Sequence, residues 1–79
     1  MTVSITNLHR AAWAKNALNT FVRETREVTS ADKLSREDLE DALTDLTGDL
    51  LHLACLKRCD PETILERARS HFDAELVEE

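Results

Sequence analysis

The sequence predicts an all-α domain of three helices, a long helix hairpin followed by a C-terminal helix. Three observations lead there. The 79 residues include one Gly, one Pro and no Tyr, with Leu, Ala and Glu prominent, a composition that favours helices over sheets. Along three successive stretches the apolar residues recur at intervals of three and four, the period of a helix with one buried face. Between those stretches stand two clusters of the kind that stop and start helices, TSADKL at positions 29–34 and CDPE at 59–62. A chain of this length is at most one domain, spanning 1–79. It buries only about 60% of the surface its unfolded form exposes, so self-association is expected.

The first predicted helix runs from about Ser4 to Val28. Leu8, Ala11, Ala14, Ala17, Leu18, Phe21 and Val22 share one broad face, and the small alanines are expected to let the central helix approach closely. Trp13 borders that face and reads first as core, with an interface anchor as the alternative. Arg10, Lys15, Arg23 and Arg26 lie on the far side, interleaved with Glu24 and Glu27, which is the pattern of a solvated face. His9 precedes the stripe and carries no signal of its own. The six residues TSADKL lack periodicity and read as the main loop and hinge.

The central helix, Ser35 to Arg58, is the strongest element. Leu39, Ala42, Leu43, Leu46, Leu50, Leu53 and Ala54 fall on one side, while Asp38, Asp41, Asp45, Asp49 and His52 form a row along the flank. Ser35 is the expected N-cap, with acidic residues in the first turn complementing the helix dipole. Gly48 interrupts the helix at a cost near 1 kcal/mol relative to Ala, which suggests first that another backbone approaches there, with mere tolerance as the alternative. Leu51 and Cys55 lie off the main stripe, so the apolar surface is wider than one neighbour covers. With Trp13 they form the expected homodimer contact. Asp60 is the predicted cap of the third helix, with Pro61 at its first position. This helix runs to about Val77 with Ile64, Leu65, Ala68, His71, Phe72 and Leu76 facing inward, His71 as a hydrogen-bonded core histidine, and fraying over the last residues, VEE.

Charge and motif narrow the function classes. Ten Lys and Arg against sixteen Asp and Glu leave a formal net charge of -6, which disfavours nucleic acid and anionic lipid and suits a basic partner. No apolar run approaches the roughly 20 residues that span a bilayer, and MTVSITNLHR lacks a signal-peptide core, so the expected location is cytoplasmic. Cys55 and Cys59 stand four apart on one helix, where a crosslink would constrain almost nothing, and CxxxC alone supplies at most two zinc ligands. No nucleophile stands beside an identifiable base, and there is no glycine-rich phosphate loop. Asp41, Asp45 and Asp49 repel one another at successive helical turns. That repulsion is offset by water and nearby Lys and Arg, as on any solvated charged face, by arginines of a partner, or by a divalent metal.

The run GDLLHLACLKRCDPETILERARSHF, Gly48 to Phe72, resembles the second half of the MazG-like all-α NTP pyrophosphatases, with Asp49, Asp60, Pro61, Glu62, Leu65, Ala68 and Phe72 carrying the likeness. The resemblance implies a helical fold. In that family magnesium is held by an ExxD pair on this helix and an EExxE motif on the preceding one. Here Leu46 stands three before Asp49, and RETRE supplies only Glu24 and Glu27, so the implied metal motif is incomplete. The whole chain resembles small helical proteins of proteobacteria, their plasmids and phages, through Trp13, Ala17, Leu18, Phe21, an acidic DALxDLxxDLLH helix and Arg67, Ala68, His71 and Phe72. Small acidic proteins of mobile elements often inhibit host defence, as anti-CRISPR proteins do.

The expected function is therefore non-enzymatic. An acidic inhibitor or adaptor would meet a basic protein surface through Asp38, Asp41, Asp45, Asp49 and His52, with no catalytic residues, metal or cofactor. The alternative is a divergent MazG-like nucleotide pyrophosphatase holding Mg at Asp45, Asp49 and His52.

Overall fold

The computed structural model describes residues 5–77 and consists of three α-helices joined by two short connections. Helix α1 covers Asn7–Thr25, α2 Arg36–Leu56 and α3 Pro61–Leu76. The expected first helix, about Ser4 to Val28, is shorter in the fold: Ile5 and Thr6 precede it and the chain leaves it at the C-cap Arg26, while Ser4 and the expected fraying of Glu78 and Glu79 fall outside the described residues. Helix α1 begins after Thr6, whose backbone N–H donates to His9 Nδ1 at 3.1 Å while its hydroxyl accepts from the His9 N–H at 3.4 Å. That reciprocal pair is a capping box with histidine in the place usually held by Glu or Gln. His9, which carried no signal in the sequence, thus closes the first helix.

The connection from α1 to α2 packs against α1. Glu27 takes a left-handed conformation, φ 56°, and Val28 N–H turns back to the Val22 carbonyl at 3.4 Å. A single 3-10 turn at Ala31–Lys33 follows, capped by Ser30, and Ala31 N–H donates to Asn19 Oδ1 at 2.8 Å. Lys15 Nζ holds Asp32 at 2.8 Å, which pulls the Asp32 carboxyl below its usual 3.8. These contacts let the buried Ala31 join Leu18, Val22 and Ala42 in one cluster, with Phe21, Val28, Leu34, Leu39 and Leu46 packed around it. Six residues without periodicity form the connection between the first two helices, as expected, and side-chain-to-backbone bonds fold them onto α1.

Helix α2 starts at the expected cap, Ser35 Oγ accepting from Asp38 N–H at 3.1 Å. Its end is a Schellman motif. Arg58 is left-handed at φ 61°, its N–H bonds the Cys55 carbonyl at 3.1 Å, and Cys59 N–H bonds the Ala54 carbonyl at 2.8 Å. The chain reverses there within four residues. Asp60 then caps α3, accepting from Glu62 N–H at 3.3 Å and from the Thr63 hydroxyl at 2.6 Å, with Pro61 at the first helical position. Gly48 departs from expectation: a Cβ built there would meet nothing within 4 Å, so no neighbouring backbone explains the glycine.

The apolar faces are paired only in part. Among the described residues Leu18, Val22, Ala31, Ala42 and Ala54 are the buried hydrophobics, and α3 buries none. Leu8 on α1, Leu43, Leu50 and Leu53 on α2, and Ile64, Leu65, Phe72 and Leu76 on α3 are exposed, as is His71. The inward face expected for α3 is therefore covered only in part within one chain, and His71 is exposed and not a core histidine. Trp13, read first as core, is 57% exposed. The alanine stripe is likewise open: Ala11 and Ala14 line a cleft of about 440 Å³ opposite Phe72, Glu75 and Leu76, so their small side chains leave space instead of admitting α2. The far end of α3 is tied to the start of α1 by polar bonds, Arg10 Nε to Glu75 Oε2 at 3.0 Å and Asn7 Nδ2 to the Glu75 carbonyl at 2.9 Å. No described helix is long and apolar enough to cross a membrane.

Candidate functional site: an acidic flank on the central helix

The acidic row exists as a surface because α2 is one uninterrupted helix. Residues three and four apart stack on the same side of a helix, which places Asp38, Asp41, Asp45, Asp49 and His52 along one flank of Arg36–Leu56. All five are exposed. Helix α1 meets this row at one point, where Arg26 Nη2 bonds Asp45 Oδ2 at 2.9 Å. Arg26 is the C-cap of α1, and its guanidinium stands beside the middle of α2. Arg26 supplies one of the offsets that the row's self-repulsion calls for. Among the described residues no ion pair reaches Asp41 or Asp49, and a fixed negative edge remains on either side of the neutralised Asp45.

A metal cage needs three or more donors converging within a few ångströms. Among the described residues no three His, Cys, Asp or Glu side chains are grouped in that way. The donors on the flank are strung out along the helix axis, each turn adding about 5.4 Å, so they form a line and not a cup. A line of carboxylates can accept hydrogen bonds from several separate cations, arginines above all.

The residues expected at a dimer contact lie on two helices, Trp13 on α1 and Leu51 and Cys55 on α2. Trp13 stacks on His9, ring centroids 6.4 Å apart and planes 28° from parallel, one turn along from the capping box. Leu51 is half-buried and Cys55 exposed, one turn apart on another flank of α2. Both cysteines are free thiols. None of Trp13, Leu51 and Cys55 lines either of two apolar clefts: the one between α1 and α3, and a second of about 400 Å³ between α2 and α3 lined by Leu50, Leu53, Ala54, Lys57, Cys59 and Ile64.

Three comparisons bear on this geometry, and none assigns it: no family model matches the chain, and neither curated proteins nor solved structures include a similar protein.

Proposed function

We propose that the chain is a non-enzymatic protein-binding module, an acidic inhibitor or adaptor that engages a basic partner surface through the α2 flank. The observation that carries this reading is the exposed line of Asp38, Asp41, Asp45, Asp49 and His52, met within the chain by Arg26 alone among the described residues. Arg26 bound to Asp45 illustrates how a partner arginine would seat on Asp41 or Asp49. The net charge of -6 favours such a partner at long range and disfavours nucleic acid. An inhibitor of host defence, covering the basic channel of a nucleic-acid-binding target in the manner of anti-CRISPR proteins, is one partner class with the required charge.

Reversing Asp41, Asp45 and Asp49 to Lys tests the reading. Exposed ion pairs contribute at most about 1 kcal/mol, so the fold should survive the change. The outcome expected is an unchanged circular dichroism spectrum and loss of the salt-sensitive partners that the wild-type chain retains from lysate of its source cell. If both proteins retain the same partners, the flank is not the recognition surface.

The MazG-like alternative, with Mg at Asp45, Asp49 and His52, has the linear arrangement of those side chains against it. It predicts magnesium-dependent release of pyrophosphate from a nucleoside triphosphate that disappears in Asp49→Ala. Turnover of that kind would replace the binding-only reading.

A further inference from the structure

We infer that the open apolar face shared by α2 and α3 is closed by a second copy of this chain, and that the contact centres on Leu50, Leu53 and Ile64 rather than on Trp13, Leu51 and Cys55. The first ground is area. One copy exposes 6583 Å², whereas a compact monomer of 9.0 kDa exposes roughly 4,900 Å². The excess is about 1,700 Å² per copy. Covering half of it on each of two copies removes about 1,700 Å² in total, a full-sized specific interface. The radius of gyration points the same way, 14.3 Å against roughly 11.6 Å for a compact chain of this length.

The second ground is the pattern. Ile64, Leu65, Phe72 and Leu76 recur at helical spacing on α3, which is the signature of a buried face, and all four are exposed in the single chain. Of these, Ile64 lines the cleft between α2 and α3 together with Leu50 and Leu53, while Phe72 and Leu76 line the cleft toward α1. The cleft between them carries no acidic residue; its charged member is Lys57. Two copies of a chain with net charge -6 can therefore meet there without opposing carboxylates in the contact. Leu50 lies about a third of a turn around α2 from the middle of the acidic row, whereas Leu53 stands one turn beyond Asp49, so pairing leaves the Asp38, Asp41 and Asp45 part of each row open to other partners.

Sedimentation equilibrium on the whole chain, from low to high micromolar concentration, tests the inference. The mass is expected to approach twice the 9.0 kDa of one copy. Leu50→Glu and Ile64→Glu, at positions already exposed in one copy, should retain helicity and raise the dissociation constant about 100-fold or more, since each would bury an unpaired charge at the contact. Leu56→Glu, an exposed position on the acidic side of α2, should leave it unchanged. Thiol labelling gives a readout that needs no substitution: Cys59 lines the cleft, so its alkylation should slow as concentration rises. A mass of one copy at every concentration would overturn the inference. So would a dimer indifferent to both face substitutions, or a Cys59 rate independent of concentration.

Discussion

Gly48 sits mid-helix with nothing near the position of a Cβ, so it exacts a backbone cost without serving a contact. Gly48→Ala is expected to raise stability by about 0.5–1 kcal/mol in urea unfolding; a loss would mean that a partner's backbone approaches there. Arg58 presents the opposite case, a non-glycine residue in the left-handed position that ends α2. Arg58→Gly removes that strain and should stabilise by up to about 1 kcal/mol, read as a higher melting temperature. Asp60 links capping to pH. Hydrogen bonds from Thr63, with help from the Glu62 and Thr63 backbone, hold its carboxyl below the usual 3.8. A folded-state value below the unfolded one means that the contribution is complete above about 3.8 and fades as pH falls through the lower folded value. The difference in melting temperature between the wild type and Asp60→Asn should therefore shrink only in that acid range; a constant difference throughout it would refute the account. His9 escaped notice in the sequence because a capping box is looked for with Glu or Gln at its third position, and imidazole Nδ1 accepts the same bond.

Individual elements differ in what supports them. Helix α1, the 3-10 turn and the first half of α2 share the one buried cluster, in which Val22 is fully enclosed. Val22→Ala should cost about 2 kcal/mol by the loss of buried methyl groups, whereas Leu53→Ala at low concentration should cost far less because Leu53 is exposed in one copy. Helix α3 has a strong start in Asp60 and Pro61 yet buries no residue, and helices in water depend mainly on tertiary packing. Its backbone amides should exchange with solvent faster than those of α1 in dilute solution and gain protection as concentration rises. Equal protection of α1 and α3 at high dilution would contradict this ranking of local stability.

For the whole molecule, salt separates the two kinds of contact. Binding of a basic partner to the acidic row should weaken as ionic strength rises, because screening removes the attraction. Pairing of two chains that each carry -6 should tighten under the same change, because screening removes their repulsion. Parallel titrations by sedimentation check both signs, and a shared direction would mean that one of the two surfaces is misassigned. The three helices, their caps at Ser35 and Asp60 and the acidic flank were legible in the sequence, since periodicity and capping are local properties of neighbours along the chain. Whether a stripe is covered is not local. Ile64, Phe72 and Trp13 have the sequence signature of buried residues, yet within one copy they stay open. The tertiary structure likewise decided that Arg26 meets Asp45, that Ala31 enters the core and that Gly48 faces space. The sequence by itself determined which faces want a neighbour. The packing of one copy decided which of them it satisfies, because 79 residues fold too little surface inward to cover every stripe they carry.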